Sequence, residues 1–224
     1  MRRLQLKMKK ILDGMTNTMN SVKPPRITAL RELHEAETGG PFSILIGTIL
    51  SARTKDESTT KVVRVLFSKY KNPKELANAK IKDIEKIIRS IGFYHVKSKR
   101  IIEVAKIINT KFKGKVPDDL DTLIQLPGVG RKTANCVLVY AFEKPAIPVD
   151  IHVHRISNRL GLVNTRNPEE TEQELMKKIR KKYWIEINDT FVMYGQNICK
   201  PISPMCDVCK IKKNCKYFKS KNAS

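Results

Sequence analysis

Apolar residues recur along this chain at helical spacing. Leu4, Met8, Ile11, Met15 and Met19 form one stripe; Ile81, Ile84, Ile87, Ile88 and Ile91 form a second; Ile101, Val104, Ile107, Ile108 and Phe112 form a third. An α-helix turns once in about 3.6 residues, so each set lines one face of a helix and can be buried there. Asn167-Pro168 followed by Glu169 and Glu170 reads as a helix start, with Asn as N-cap and the proline ring pre-set for the first turn. No segment alternates apolar and polar residues between turn signals, so a sheet is not expected. The pattern predicts roughly ten short helices in an all-α fold. The longest apolar stretch, Ile44 to Ala52, is too short to cross a bilayer. The basic N-terminus MRRLQLKMKK lacks the apolar core of a secretion signal.

Charge narrows the choice of partner. The 224 residues carry 44 Lys+Arg against 22 Asp+Glu, a net charge of +22. Such a bias suits a polyanion or an anionic membrane surface, and without a spanning segment nucleic acid is favoured. With 41% apolar and 29% charged residues the chain reads as globular.

Between Asp118 and Ala141 the chain reads as helix, turn, helix. A short helix capped by Asp118 runs to Gln125, a turn follows at Leu126-Pro127-Gly128-Val129-Gly130, and a second helix starts at Arg131. Two glycines at a helix start permit a tight turn and expose backbone N–H groups, which together with the helix dipole make an anion site. On so basic a protein the anion is a nucleic-acid phosphate, and the motif looks like a helix-hairpin-helix. Lys132, in the first turn after the hairpin, is either one more phosphate contact or an amine nucleophile. Asp150, in Pro148-Val149-Asp150-Ile151-His152, is either the N-cap of the stretch carrying Val153, Ile156 and Leu160 or a carboxylate partner for that amine. The two roles are compatible. His152 and His154 read as packing or solvent-facing residues.

Four of the five cysteines, Cys199, Cys206, Cys209 and Cys215, have the spacing C-x6-C-x2-C-x5-C. In a chain without a secretion signal this reads as metal ligation before disulfides. Four thiolates suit a structural zinc or an iron–sulfur cluster, and the single tight pair with wide flanking gaps favours the cluster. The segment from Cys199 onward shows no helical stripe and depends on a metal for order. Cys136, among Ala134, Val137 and Leu138, reads as a small buried hydrophobe.

These features in this order resemble the endonuclease III family of base-excision DNA glycosylases. The resemblance runs from about Pro41 to Tyr217 and includes P-F-S-I-L-I-G-T-I-L-S-A at 41–52, S-I-G-F-Y at 90–94, L-P-G-V-G-R-K-T-A at 126–134, V-D-I-H at 149–152 and the four cysteines. It implies a two-lobed, all-α helix-hairpin-helix glycosylase fold. One lobe is a helical barrel over 34–144 with the hairpin at about 118–141; the other joins 1–33 to 145–224 and carries a C-terminal 4Fe–4S cluster loop. It implies a bifunctional DNA glycosylase and AP lyase that removes oxidised or damaged pyrimidines. Lys132 would form the Schiff base, Asp150 would assist it, and the four cysteines would ligate the cluster. The partner would be double-stranded DNA containing damaged bases or abasic sites, met by a monomer in a prokaryotic cytoplasm, without membrane attachment. Gly128, Val129 and Gly130 would grip the backbone, and Phe93 would wedge into the base stack. The flipped base would enter a groove between the lobes.

One position departs from the family. Members often read L-S-A-Q-x-T-D where this chain has Leu50-Ser51-Ala52-Arg53-Thr54-Lys55-Asp56. The family's Gln fills the gap left by the flipped nucleotide, so Arg53 bears on the choice of opposite base. Two rival readings stand beside this one: a glycosylase specific for thymine or uracil opposite guanine, and a non-enzymatic DNA-binding module with a structural zinc.

Overall fold

A computed structural model of the chain describes residues 2–22, 28–35 and 40–221, with side chains from residue 7 onward. It opens with helix α1 (Arg2–Asn20). Eight helices follow: α2 (Ala29–Glu35), α3 (Gly40–Ser51), α4 (Asp56–Lys69), α5 (Pro73–Ala77), α6 (Ile81–Ile88), α7 (Tyr94–Lys111), α8 (Leu120–Leu123) and α9 (Arg131–Phe142). The chain ends with α10 (Ile151–Leu160), α11 (Pro168–Lys178), α12 (Trp184–Asn197) and α13 (Lys216–Lys221). Among the described residues there is no strand, and short 3-10 turns occur at Lys181–Tyr183 and Lys212–Asn214. The chain divides into two compact units, Thr28–Lys144 and Met1–Ile27 with Pro145–Ser224.

The unit Thr28–Lys144 is built around α3. Every residue from Phe42 to Leu50 is buried. A helix that is apolar on all sides has no solvent face and must be surrounded. Helices α2, α4 and α9 pack on it, and α9 is itself buried from Ala134 to Tyr140, Cys136 included. Each fully buried Leu or Ile, such as Leu45 and Ile46 at 0% exposure, contributes roughly 1.5–3 kcal/mol. The two isoleucine stripes form α6 and α7. Ile84, Ile88, Ile91, Ile101, Val104 and Ile108 are buried, whereas Ile81, in the first turn of α6, is exposed. Helix α7 packs against both α5 and α6.

The other unit assembles around α12, against which α1 and α10 pack. Its core joins Met8, Ile11, Leu12, Met15 and Met19 to Val153, Ile156, Leu160, Phe191 and Tyr194. Leu4, the first residue of that stripe, lies outside the residues whose side chains are described. Helix α11 starts as the sequence predicts: Asn167 Oδ1 accepts from Glu170 N at 2.8 Å, and Asn167 Nδ2 donates back to Glu170 Oε1 at 2.8 Å. Asn72, Pro73 and Glu75 repeat the same reciprocal cap on α5, with bonds of 3.0 and 2.7 Å. No helix among the described residues is long and apolar enough to cross a membrane.

Candidate functional site

The hairpin begins one residue later than its sequence suggests. Asp119, not Asp118, caps α8: its Oδ1 accepts from Thr122 N at 2.8 Å, and that bond holds its carboxyl below the usual aspartate range. Asp118 turns instead to Lys144, whose Nζ lies 2.6 Å from Oδ2 and 2.7 Å from the Asp118 carbonyl. The following turn is closed by Val129 N donating to Leu126 O at 3.0 Å. Pro127 supplies the fixed φ of its first corner and Gly128, at φ +75°, the left-handed second corner. A Cβ at Gly128 would also run into the Arg100 side chain from α7. Leu126 and Val129 are buried beneath the turn, while Gly128 and Gly130 face solvent. Thus Val129 anchors the hairpin and spends its amide on the turn. Gly130 is the N-cap of α9 and has no side chain to close the helix end. Lys132 is exposed in the first turn of α9.

Asp150 is the N-cap of α10. Its Oδ1 accepts from both His152 N and Val153 N at 2.8 Å, so Oδ2 takes no part in the cap. The cap leaves one carboxylate oxygen for other work. His154 Nδ1 bonds Thr171 Oγ1 at 2.7 Å, and Arg155 Nη2 lies 3.1 Å from His152 Nδ1. Both imidazoles therefore serve packing and internal hydrogen bonding.

Arg53 and Phe93, forty residues apart, meet in the unit Thr28–Lys144. The Arg53 guanidinium stands 4.8 Å from the centre of the Phe93 ring. Both residues are left-handed, at φ 55° and 59°, and Phe93 is 58% exposed. A large aromatic held out in solvent from a conformation that favours glycine is costly in two ways, which makes Phe93 a candidate for a role beyond packing.

Cys199, Cys206, Cys209 and Cys215 line one cavity, whose empty space totals about 420 Å3 with its open mouth included. The rest of its wall comes mainly from Met15, Ile156, Leu160, Tyr194, Ile198 and Ile211. Burial first, then the neighbouring cysteines, push the Cys206 thiol up, and burial likewise raises Cys215. Tyr194 Oη donates to Cys209 Sγ at 3.0 Å and Arg159 Nη1 to Cys199 Sγ at 3.4 Å. Two arginines of α10 also clamp the start of the loop. Arg155 Nη2 donates to Cys199 O at 2.9 Å and Gly195 O at 3.1 Å; Arg159 donates to Lys200 O at 2.7 Å and Pro201 O at 2.8 Å. The loop is thus tied down by more than its cysteines, and its end is helical, in α13. Neither arginine stood out in the sequence, because each reads as one more cation in a basic chain.

A buried apolar core carrying an exposed Gly-x-Gly hairpin, followed by a lysine and a four-cysteine loop, defines a class: the helix-hairpin-helix proteins of base-excision repair. Residues 46–181 match the family described as HhH-GPD superfamily base excision DNA repair protein. The chain is 50% identical over 179 residues to Endonuclease III of Thermotoga maritima, spanning 80% of this chain and 84% of that one. A solved non-covalent Endonuclease III–DNA complex is similar in structure, with a TM-score of 0.83 and 35% identity over 98% of this chain and 99% of that one. A thermostable thymine-DNA glycosylase is similar too, with a TM-score of 0.79 and 26% identity over 96% and 97% of the two chains. The chain belongs to the endonuclease III family, the bifunctional DNA glycosylases and AP lyases of base-excision repair.

Proposed function

We propose that this chain excises damaged pyrimidines from double-stranded DNA, with the Lys132 amine as nucleophile and Asp150 as its carboxylate partner. The observation that carries this reading is Lys132 itself, an exposed amine in the first turn of α9 directly behind the Leu126–Gly130 hairpin. The exposed glycines let a DNA phosphate approach the backbone, and Arg100 beside Gly128 adds a cation. A base inside the duplex is out of reach, so the damaged nucleotide must first leave the stack. Phe93 wedges into the base stack beside it, and Arg53 enters the vacated space and faces the orphaned partner base.

The Lys132 amine then attacks C1′ of the sugar. The C1′–N bond breaks, the base departs with its electron pair, and the Asp150 carboxylate takes up the proton released by the amine. The C1′–O4′ bond then breaks as the nitrogen lone pair forms C1′=N and O4′ takes a proton, so the sugar ring opens to a Schiff base. This acidifies C2′, and loss of that proton expels the 3′-phosphate by breaking the C3′–O bond, which nicks the strand 3′ to the site. One amine thus serves both glycosylase and lyase steps.

The four cysteines fit a 4Fe–4S cluster. The donor set is all thiol and the four share one cavity. One tight pair, Cys206 and Cys209, with wide flanking gaps suits a cluster better than the paired knuckles of a zinc site. When bound, the cluster supplies a structural centre for the loop that carries Lys200, Lys210, Lys212 and Lys213.

Borohydride trapping on abasic DNA tests the nucleophile. Wild type is expected to form a covalent adduct. Lys132→Gln should bind lesion DNA and yet lose both the adduct and strand cleavage. An adduct of normal yield from Lys132→Gln overturns the assignment, and none from wild type leaves a DNA-binding module.

A further inference from the structure

Lys97 is a charged residue on the apolar face of α7. It is 4% exposed and continues the line of Ile101, Val104 and Ile108 by one turn. Its Nζ donates to Leu50 O at 2.8 Å, Ala52 O at 2.8 Å and Thr54 Oγ1 at 2.7 Å. An ammonium group has three N–H donors, so all of them are used. Leu50 lies in the last turn of α3, where carbonyls lack helical partners and the dipole favours a cation. Ala52 and Thr54 flank Arg53. The backbone of the same lysine reaches the second segment: Lys97 N donates to Phe93 O at 3.0 Å. One residue therefore joins the turn that bears Arg53 to the turn that bears Phe93.

The fold keeps this cation against its own cost. Burial first and Arg100 second lower the pKa of Lys97, so an apolar residue there would pack without that penalty. What the ammonium provides instead is a fixed geometry for two left-handed, exposed residues whose guanidinium and ring meet at 4.8 Å.

We propose that Lys97 is a positioning residue for opening the duplex: its buried ammonium locks the Leu50–Thr54 turn to the Phe93 turn and presents Arg53 and Phe93 to DNA as one rigid pair. This rests on the reading of Arg53 and Phe93 as the residues that enter the base stack. Lys132 is not among the three partners of the Lys97 ammonium. Lys97 thus governs the removal of a base that must be flipped, and hardly affects attack on a site that has already lost its base.

The experiment compares two rates in each variant, single-turnover excision of a paired lesion and borohydride trapping on abasic DNA. Lys97→Met keeps the stem and removes the charge; its ratio of excision to trapping should fall about tenfold or more, since ångström-scale misplacement costs that much. Lys97→Arg should restore most of the ratio. Thr54→Val, which removes one acceptor and leaves the core intact, should show the same split in smaller measure and decides the matter if Lys97→Met does not fold. Adding Arg53→Gln to Lys97→Met should change the opposite-base ratio less than it does in wild type. An equal loss of both rates marks a merely structural lysine, and an unchanged ratio in Lys97→Met and Thr54→Val overturns the proposal. If Phe93→Ala and Arg53→Gln alone move neither ratio, the insertion reading fails and the proposal with it. If they move it and Lys97→Met does not, only the positioning role fails.

Discussion

Arg53 is the residue at which this chain parts from the common family pattern, and its surroundings decide what it can do. The guanidinium has donors only and stands 4.8 Å from the centre of the Phe93 ring. Across the vacated slot an orphaned guanine presents the O6 acceptor, and a guanidinium that reaches on to the major-groove edge meets N7 as well, whereas adenine presents one acceptor and one donor on that edge. Arg53 is therefore expected to favour guanine opposite the lesion. Single-turnover excision of one lesion placed opposite guanine and then opposite adenine should show a guanine preference in wild type that shrinks in Arg53→Gln. A uniform loss on both substrates would make Arg53 a phosphate contact at the rim.

At the scale of elements, the proposed role of Asp150 would place two functions on the aspartate that caps α10. Asp150 Oδ1 caps the helix through two bonds of 2.8 Å. Asn caps about as well as Asp, and replacing a cap by Ala costs about 1 kcal/mol. Asp150→Asn should thus unfold near the wild-type temperature and still lose most single-turnover activity, while Asp150→Ala should lose both stability and activity. Normal turnover in a destabilised Asp150→Asn would reduce the residue to its cap. The two-sided helices were legible in advance because a helix with one wet face leaves a stripe in the sequence. Helix α3 leaves none, being buried on every side, and α5, α8 and α13 are too short, at 5, 4 and 6 residues, for a period to show. The cap of α8 slipped from Asp118 to Asp119 because two adjacent carboxylates compete and only bonding decides. Lys97 escaped notice for a related reason: a lysine beside an apolar stripe reads as its wet edge, and its three acceptors come from a segment more than forty residues away. The hairpin, its lysine and the cysteines could be read because each is a local spacing.

For the molecule as a whole, the cysteine loop and the surplus of positive charge make separate claims. Purified protein should be yellow-brown, with broad visible absorption from thiolate-ligated iron. Cys206→Ala should lose that colour, but the clamps from Arg155 and Arg159 should keep the rest of its unit folded by far-ultraviolet circular dichroism. Stoichiometric zinc in a colourless preparation from iron-replete cells would reject the cluster. The charge acts on all DNA, damaged or not. With a net charge of +22, binding to undamaged duplex should weaken steeply with salt, by a slope of about −0.9 per neutralised phosphate on a log–log plot. The lysines around the cysteine loop differ in freedom. Lys200, Lys210 and Lys213 are exposed, while Lys212 Nζ is held by Asp207 O at 3.1 Å. A lysine that meets phosphate contributes its own share of that slope. Lys213→Ala should therefore flatten it by up to about 0.9, with little change in sequence preference, because phosphate contacts position without specifying. Lys212→Ala should flatten it less. The measurement is fluorescence anisotropy on one undamaged duplex across a range of salt. Binding without measurable salt dependence in wild type would remove electrostatics as the source of affinity, and an equal effect of the two alanine variants would mean the Asp207 tether does not restrain Lys212.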